Sequence, residues 1–555
     1  MIAVVPARGG SKGIKRKNLR FLNGKPLLFY VLQTLKTCKL IDDIVVTTDD
    51  NEIMHYVNQF GVKIHNRPPE LAGDHVTLDP VVSSAVAWYE EVFEKKVDHV
   101  ITVQPTSPLL TNKTLSEAIR YFTASDSDCV ISAVDDTHLT WKIEQDRYIP
   151  NYKKRLNRQW LDKVLKETGA FVISKRHILD SGSRIGGEIK LFEIPAIEGI
   201  DIDTPNDWLI CSALLKRMAI DFVVIGSNEV GMGHIRRSLT LANYWLGHDI
   251  RFIGLNLDDT VIELLKNQNF EVYNAGSYEE ALKWIRDDSL VINDILDTTQ
   301  QYIAQIKKKN TFVVNFEDLG DGTECADLVI NALYEKANCP ENHKYGYEYE
   351  CLDERFLMVP SNEFREQCSR ILVSFGGADP SNYTLKAIKA LNRMQISYDV
   401  KVVLGPAYRQ LTELTQYLNE TVSIHNIKVL TSVTNMAELM EGIDLAITSN
   451  GRTIFELAAM GIPLISMAQN ERETLHLFAR YSKGVRYLGM GQKITPEELA
   501  AEIENIIHNP LNRRNMYNSI PSDSIRDGLS RVTGLIESNY WRWKRENDKH
   551  REEND

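Results

Sequence analysis

Long apolar runs are absent from this sequence of 555 residues, and no stretch approaches the roughly 20 apolar residues of a membrane-spanning helix. The N-terminus has only a short apolar run before Arg8, without the long apolar core or the small-residue cleavage site of a secretory signal. We therefore expect a cytoplasmic protein that does not associate with a membrane.

Cysteine and positive charge are also scarce. The seven cysteines are scattered without a C-x-x-C pair, so we expect reduced, mostly buried thiols in place of disulfides or a zinc site. The 64 Lys and Arg residues are outnumbered by 76 Asp and Glu residues, which gives a formal net charge of −12. Because proteins that bind nucleic acid usually present a basic field, we expect no nucleic-acid partner, and any phosphate must be bound locally.

The composition is otherwise that of a globular protein, with 43% hydrophobic and 25% charged residues. A chain of this length suggests about three or four folding units. Short β-branched runs alternate with helical patterns along nearly the whole chain, which predicts an α/β fold with parallel sheets and crossover helices.

The periodic segments divide the chain near residue 218, where a second strand, glycine loop and helix begin. Strands of the first half are predicted at 2–6, 43–48, 99–104, 129–133, 169–174 and 188–194, and helices at about 26–37, 80–93 and 112–122. The predicted domains are 1–217, then two lobes at 220–360 and 365–535, and a charged tail at 540–555. We expect the tail to be a solvated helix end, and ligands to bind at the carboxyl ends of the strands.

Strands of the second half are predicted in two series. The first series is 222–225, 250–253, 290–292 and 311–315, and the second is 371–375, 400–404, 443–448 and 464–466.

A glycine-rich cationic loop follows the first predicted strand. Residues 7–19, ARGGSKGIKRKNL, contain three glycines, one serine and five cations. Backbone N–H groups of such a loop can surround phosphates while Arg8, Lys12 and Lys17 neutralise their charge. The spacing is not that of a Walker A loop, and a solvated basic loop is the alternative interpretation.

The longer motif PARGGSKGIKRKNL resembles the N-terminal signature of the CMP-sialic acid synthetases, cytidylyltransferases that activate nonulosonic acids. The resemblance continues through TTDD at 47–50, NRPPELAGD at 66–74, QPTSPL at 104–109, NRQ at 157–159, ETGAF at 167–171 and IDIDTPND at 200–207. It covers about residues 1–217. It implies a Rossmann-like, GT-A-like mixed sheet, transfer of CMP from CTP to a nine-carbon keto-sugar acid with release of pyrophosphate, and a homodimer.

The same resemblance implies roles for individual residues. The CTP phosphates would be held by Arg8, Ser11, Lys12 and Lys17, with Asn18 at the end of the loop, Arg67 and Gln104 lining the nucleotide and sugar pocket, and Arg8 and Lys17 acting in catalysis. Asp201 and Asp203 lie two residues apart in an extended segment, so their carboxylates share a face and suit a hard cation such as Mg²⁺. The alternative is that they form a turn at a strand end.

A second glycine loop, GSNEVGMGHIRRSLTLA at 226–242, departs from the dinucleotide fingerprint. Its glycines allow a ligand close to the backbone, with His234 at the mouth of a helix. Two more loops, SFGGADPSN at 374–382 and TSNGRTIFELAAMGIPLI at 448–465, also connect a strand to a helix. Helix N–H groups beside Gly451 would suit a diphosphate, and Glu456 the hydroxyls of a ribose.

Together these loops resemble the UDP-sugar hydrolase of the pseudaminic acid pathway, a relative of the two-lobed GT-B glycosyltransferases. G-M-G-H-x-x-R and S-F-G-G-x-D-P are the sharpest matches, over about residues 220–535. The resemblance implies that His234 assists attack of water on a UDP-linked 2,4-diacetamido-2,4,6-trideoxy-altrose, without a metal. The predicted nucleotide-sugar contacts are Gly233, Gly376, Gly377, Asn450, Gly451 and Glu456, whereas Asp379 either binds ligand or caps a helix.

The sequence therefore predicts a bifunctional enzyme of nonulosonic acid biosynthesis. Its two reactions are not consecutive, because a synthase that uses phosphoenolpyruvate would act between them. Two alternatives remain for the second half: a UDP-sugar-dependent glycosyltransferase, or a non-catalytic module that binds nucleotide sugars. Fold analogy does not separate them.

Overall fold

The computed structural model describes residues 1–10, 13–226, 232–336, 338–431, 433 and 435–554, with side chains described as far as Asp548. The chain divides into two compact units, Met1–Arg217 and Met218–Asp555. Ser11 and Lys12 of the predicted phosphate loop lie outside the described residues. Within the described part of the chain, no helix is both long enough and apolar enough to cross a membrane.

The first unit contains a seven-stranded mixed sheet. Its strands, in spatial order, are Ile189–Glu193, Cys129–Asp135, Leu165–Lys175, His99–Val103, Ile2–Pro6, Asp43–Thr48 and Lys63–Asn66. Only Leu165–Lys175 runs antiparallel to its neighbours. Two short hairpins are formed by Phe21–Leu22 with Lys25–Pro26 and by Trp141–Glu144 with Arg147–Pro150. The helices are Leu27–Thr37, Asn51–Asn58, Leu78–Phe93, Asn112–Ala124, Arg176–Asp180 and Pro205–Leu214.

Helices cover both faces of this sheet, which explains the unbroken apolar run of its central strand. Val5 packs into the cluster that contains Leu32, whereas Val4 packs into the cluster on the opposite face with Val82. Successive strand residues point to opposite faces, so a strand that is covered on both sides must be apolar throughout.

The second unit contains two parallel sheets, each with its own hydrophobic core. The first-lobe sheet has the order Glu271–Ala275, Asp249–Leu255, Ala219–Ile225, Leu290–Asp294, Phe312–Phe316, Leu328–Asn331 and His343–Tyr345. The second-lobe sheet has the order Asn426–Thr431, Asp399–Leu404, Arg370–Ser374, Leu445–Ser449, Leu464–Ala468 and Val485–Met490. Two parallel α/β lobes in succession confirm the predicted GT-B-like architecture.

The helices of this unit connect and cover the two sheets. The first-lobe helices are Gly233–Tyr244, Asp259–Lys266, Tyr278–Trp284 and Gln300–Lys307, followed by Arg355–Met358 between the sheets. The second-lobe helices are Tyr383–Leu391, Leu411–Glu420, Met436–Met440, Thr453–Ala459, Glu471–Thr474, Phe478–Tyr481, Pro496–Ile507, Pro510–Asn518 and Ser522–Arg526.

The last helix, Gly528–Asn554, returns to the first lobe. Ile536 and Tyr540 are buried in the first-lobe core, and Trp543 lies against Phe312 with 5.8 Å between ring centroids. The expected end of the second lobe at residue 535 and the solvated tail from residue 540 are therefore wrong. Residues 532, 536 and 540 are apolar at intervals of four, and this stripe binds the helix to the sheet.

Several outer strands were not predicted from the sequence. Glu271–Ala275 and Asn426–Thr431 are only partly buried and carry polar residues, so their apolar pattern is weak. Leu328–Asn331 is fully buried but only four residues long. Outer strands give little periodic signal because few of their side chains enter the core, and a strand of four residues is too short to show a period.

Truncation of Ile536 tests the attachment of the last helix. Ile536 has 0% exposure in the first-lobe core, so Ile536→Ala leaves a cavity and lowers the free energy of unfolding by roughly 2–5 kcal/mol. Leu511→Ala, at a side chain that is 70% exposed, is the control and changes it little. Urea unfolding measures both, and equal small effects would contradict the packing of this helix.

Candidate functional sites

The cationic loop of the first unit lies against acidic side chains. Arg8 Nη1 is 2.8 Å from Asp74 Oδ1, and the backbone N–H of Gly9 donates to Asp49 Oδ1 at 3.1 Å. Asn18 is buried and its Nδ2 donates to the carbonyl of Arg8 at 3.0 Å. The Asn18 amide therefore fixes the shape of the loop. The sequence predicts that the same residue binds the ligand.

The other end of the loop packs on the segment that contains the two predicted metal ligands. Lys17 Nζ donates to the carbonyl of Ile202 at 2.5 Å and to Asp203 Oδ1 at 3.1 Å. A Cβ added at Gly13 would lie 2.4 Å from the carbonyl oxygen of Asp203, so only glycine permits this approach. The predicted cation loop and acidic segment are thus in direct contact.

Asp201 lies on the inner side of the same segment. A Cβ added at Gly169 would be 3.0 Å from both Asp201 Oδ2 and Gln104 Nε2, so these three residues meet at one point. Asp201 Oδ1 is buried without a hydrogen-bond partner among the described residues. Burial raises the pKa of Asp201, and the nearby Asp203 adds to the rise.

The two aspartates fit a magnesium ion in part. Carboxylate oxygens are the ligands that Mg²⁺ prefers, and the unpartnered oxygen of Asp201 needs a cation or a donor. Asp203, in contrast, is 73% exposed and already paired with Lys17. No group of three or more His, Cys, Asp or Glu side chains suited to a metal occurs in the described ranges. Water and phosphate would have to complete the coordination.

Arg67 is buried beside this loop. Its Nη2 donates to the carbonyl of Thr47 at 2.8 Å, whereas its Nε has no partner within the described part of the chain. Burial lowers the pKa of Arg67, Asp49 opposes that shift, and the nearby Arg8 adds to it. Arg8, Gln104 and Arg67 follow the carboxyl ends of parallel strands of one sheet, and Lys17 lies in the same loop as Arg8.

In the second unit, His234 occupies the first turn of the helix Gly233–Tyr244, and its Nδ1 is 2.7 Å from Asp294 Oδ1. Asp294 ends a strand whose register places it opposite Val224, next to the loop that leads to the histidine. Asp294 has no exposed surface, and it also accepts hydrogen bonds from Arg237 Nε at 2.8 Å and from Ser238 Oγ at 3.0 Å.

The ionisation of Asp294 determines the histidine tautomer. Burial alone would raise the pKa of Asp294, but Arg237 and His234 together hold it well below its ordinary value. An ionised carboxylate only accepts hydrogen bonds, so Nδ1 of His234 carries the proton of the contact. Nε2 of a neutral ring is then the nitrogen that can accept a proton.

Residues of the second lobe lie close to the helix that carries His234. A Cβ added at Gly233 would be 3.4 Å from Cδ of Arg452, so the histidine loop touches that arginine. Glu456, one turn further along the helix, is half-buried, and burial raises the pKa of its carboxyl while Arg236 and Arg452 oppose the shift. Gly233, next to His234, and Glu456 therefore both lie close to Arg452.

The two remaining loops of the second lobe differ in their exposure. Gly376 has a φ of 78°, a left-handed conformation that favours glycine, and nothing lies within 4 Å of a Cβ added at Gly377. Gly451 borders the carboxylate of Glu473, whose Oε1 would be 3.5 Å from an added Cβ.

Asn450 and Asp379 serve the fold. Nδ2 of Asn450 donates to the carbonyls of Glu473 at 2.7 Å and His476 at 3.1 Å, so its amide holds a loop, contrary to the predicted ligand contact. The Asp379 carboxylate accepts the N–H groups of Tyr383 and Thr384, both at 2.8 Å, and so caps the helix Tyr383–Leu391. Of the two interpretations of Asp379, capping is the one that the contacts support.

Comparison with known proteins identifies the first unit. The family model for cytidylyltransferases matches residues 2–191. An N-acylneuraminate cytidylyltransferase of Oncorhynchus mykiss is 30% identical over 302 residues, which cover 52% of this chain and 68% of that protein. The chain belongs to the cytidylyltransferase family.

Two other relatives show how the cytidylyltransferase match is distributed. The pseudaminic acid cytidylyltransferase of Campylobacter jejuni is 28% identical over 231 residues, 39% of this chain and 96% of that protein. An uncharacterized protein of Methanocaldococcus jannaschii is 32% identical over 277 residues, 46% of this chain and 56% of its own length. The chain thus spans about half the length of some of the relatives that it matches, 56% in one case and 50% in another.

The second unit of the chain matches a different family. The model for the C-terminal domain of glycosyltransferase family 28 matches residues 371–531, which include most of the second lobe. The predicted resemblances are thus confirmed for the cytidylyltransferase unit and, in the second unit, for a glycosyltransferase-like fold.

Asp294 and Glu317 were not singled out in the sequence, and Arg237 stands in the G-M-G-H-x-x-R motif but was given no role. Asp294 and Glu317 follow the apolar runs LVIN and FVVNF, and Arg237 lies one helical turn after His234. Polar residues directly after a buried strand were the available signal, because such residues line the ligand-binding edge of a parallel sheet.

Replacement of Asp294 tests its buried charge. Asp294→Asn weakens the pairing of the buried Arg237 and lowers the free energy of unfolding at pH 7 by about 3–5 kcal/mol. Because the folded pKa of Asp294 is lowered, its ionisation stabilises the fold above the unfolded pKa of about 3.9, and this contribution is lost as pH falls below that value. Urea unfolding at several pH values measures the difference between the two proteins. A difference that stays constant down to pH 3 would contradict the ionised state.

Proposed function

We propose that the chain is a bifunctional enzyme of nonulosonic acid biosynthesis. Its first unit transfers CMP from CTP to a nonulosonic acid, and its second unit hydrolyses a UDP-linked diacetamido-trideoxyhexose to UDP and free sugar. The two reactions use separate sites, one in each unit. The membership of the first unit in the cytidylyltransferase family supports the first reaction, and the His234–Asp294 pair supports the second.

The contact of the cationic loop with the acidic segment is the structural observation that supports CMP transfer by the first unit. In the reaction, the anomeric hydroxyl of the acid attacks the α-phosphorus of CTP, the bond to the β-phosphate oxygen breaks, and pyrophosphate leaves. Arg8 and Lys17 pair with Asp74 and Asp203, so both cations lie where a triphosphate can exchange those carboxylates for its own oxygens. Fixed cations of this kind stabilise charge that grows on the leaving phosphates.

Asp201 and Asp203 would hold Mg²⁺ in this site. The ion supplies charge neutralisation of the phosphates when it is bound. The remaining steps depend on the chain itself. Gln104 lies beside Asp201 to orient the nucleotide or sugar, and the buried Arg67 offers an Nε–H without a partner in the described part of the chain.

The first unit also has features that suit a homodimer. The hairpin side chains Trp141 and Tyr148 are 53% and 76% exposed, and Trp160 is 71% exposed. Exposed aromatic side chains so close in sequence are typical of surfaces that a second copy covers. We include a dimer formed through this unit in the proposal.

Replacement of Asp203 tests the first activity. We expect Asp203→Ala to abolish Mg²⁺-dependent release of pyrophosphate from CTP in the presence of a nonulosonic acid, because a predicted ligand of the ion is lost. Asp126→Ala, at an exposed position of the same unit, is the matched control and keeps activity. A phosphate-release assay coupled to pyrophosphatase measures both. Near-normal release of pyrophosphate by Asp203→Ala would contradict the assignment of Asp203 as a metal ligand.

For the second activity, His234 acts as a general base. It accepts a proton from water at Nε2 while the water oxygen forms a bond to the anomeric carbon, and the bond from that carbon to the UDP oxygen breaks. Asp294 holds the ring through Nδ1 and stabilises the positive charge that it gains, as a carboxylate does for a catalytic histidine. This reaction requires no metal.

A second candidate is a glycosyltransferase, which the match of residues 371–531 to glycosyltransferase family 28 favours. The same base would then take its proton from a sugar hydroxyl in place of water. The two candidates share UDP as a product and differ in the other product, which is a free sugar for the hydrolase and a glycoside for the transferase. Mass analysis of the products distinguishes them.

Replacement of His234 tests the second activity apart from the first. His234→Ala should reduce UDP release from UDP-2,4-diacetamido-2,4,6-trideoxy-altrose by roughly 100- to 10,000-fold, the usual contribution of a general base. Pyrophosphate release from CTP should stay unchanged, because that reaction is assigned to the other unit. His508→Ala, at an exposed helix end, is the control. UDP release that survives in His234→Ala would exclude the assigned base.

A further inference from the structure

We infer that Glu317 is a positioning residue through which Arg452 of the second lobe holds the His234 base of the first lobe in its working orientation. The inference rests on the proposed function of the second unit. It assigns a task to the buried Arg237 and Glu317 and to the half-buried Arg452, for which neither resemblance gives a role in the reaction.

Arg237 fixes the position of Asp294. Arg237 donates to both carboxylate oxygens of Asp294, and Asp294 accepts from Nδ1 of His234. The Arg237 side chain is 2% exposed, and its guanidinium lies over the ring of Phe316 at 4.9 Å from the centroid. A shift of this guanidinium therefore moves Asp294, which in turn moves the imidazole.

Glu317 contacts two arginines, one from each lobe. Its Oε1 lies 3.0 Å from Arg237 Nη1 and 3.4 Å from Arg452 Nη1, and it also accepts the N–H of Ala332 at 3.1 Å. Glu317 has a φ of 51°, a left-handed conformation that a residue with a side chain rarely adopts. Such a backbone persists where the surroundings fix it, so the carboxylate has a defined place.

Arg452 also contacts a second carboxylate, that of Glu350. Nη2 of Arg452 donates to Oε1 of Glu350 at 2.5 Å, and the other oxygen of Glu350 is buried without a partner among the described residues. The chain of contacts thus contains three carboxylates, Asp294, Glu317 and Glu350, and two arginines. Glu317 fixes Nη1 of Arg237 and is itself fixed by Arg452, so the position of the guanidinium that holds Asp294 depends on both residues.

The consequence is a link between the lobes. Arg452 lies beside Gly451 and Glu456 in the loop and helix assigned to the nucleotide, whereas His234 lies in the first lobe. The base is therefore fully positioned only when the second lobe, which binds the nucleotide, stands against the first. Such an arrangement restricts proton abstraction from water to the closed cleft.

Two readouts on the full-length chain test the inference. The first is steady-state hydrolysis of UDP-2,4-diacetamido-2,4,6-trideoxy-altrose, and the second is the ¹⁵N spectrum of labelled histidines, in which His234 is assigned by the signal missing from His234→Ala. In Glu317→Gln, which keeps an acceptor oxygen but removes the charge, we expect kcat to fall roughly ten- to a hundred-fold with little change in KM. The His234 signals should move from the Nδ1–H tautomer to a mixture of tautomers.

Arg452→Lys and Arg472→Met complete the comparison. A lysine cannot bond Glu317 and Glu350 as a planar fork, so Arg452→Lys should give a kcat between those of wild type and Glu317→Gln. Arg472 also joins the lobes, through Tyr334 and Asp297, but does not contact Glu317, so Arg472→Met should keep both kcat and the spectrum. If Glu317→Gln fails to fold, Arg452→Lys, which leaves the first lobe intact, decides the question with the same two readouts.

The outcomes separate the inference from the proposed function. A rise in KM alone, with kcat and the histidine spectrum unchanged, overturns the positioning role and leaves the hydrolase in place. If the wild-type chain releases no UDP from the probe, the hydrolase fails. The inference is then judged on the spectrum in the presence of UDP, where an unchanged His234 signal in Glu317→Gln overturns it.

Discussion

A negative charge with no exposed surface is the constraint on which the second unit depends. Asp294 ends a strand in the interior, where a lone carboxylate is unstable unless it is paired and fully hydrogen bonded. Arg237 meets that requirement but is itself buried, and so requires Glu317. Glu317 in turn attracts Arg452 from the other lobe. The buried charge of Asp294 thus requires charged partners from both lobes, although the two lobes are formed by different parts of the sequence.

The first unit satisfies its charges differently. Its cations stand on a loop that is partly exposed, and their partners, Asp74 and Asp203, are half to mostly exposed carboxylates. Ion pairs whose carboxylate is open to water contribute little to stability, so the carboxylates can be exchanged for a phosphate at small cost. The second cleft, in contrast, holds its charged groups by burial. The acidic chain as a whole therefore contains one site of exchangeable ion pairs and one of fixed ones.

The sequence predicts the centre of this structure better than its edges. Central strands such as Ile2–Pro6 and Ala219–Ile225 are covered on both faces and appear as unbroken apolar runs. The loops that follow them were found for the same reason. The partner of His234 was not, because the chain has several polar residues at strand ends. Which of them meets the histidine depends on strand order, and only the pairing of Leu290–Asp294 beside Ala219–Ile225 selects Asp294.

The last helix has a consequence for how the chain is made. The first lobe is built from residues near 218–350 together with residues beyond 528, so its core is interrupted by the whole second lobe. During synthesis the second lobe has all its strands before the ribosome has released the helix that the first lobe lacks. Domains that emerge first usually fold first, and here the order is reversed. Until the last helix is made, the first lobe exposes the apolar surface that Ile536 and Tyr540 cover.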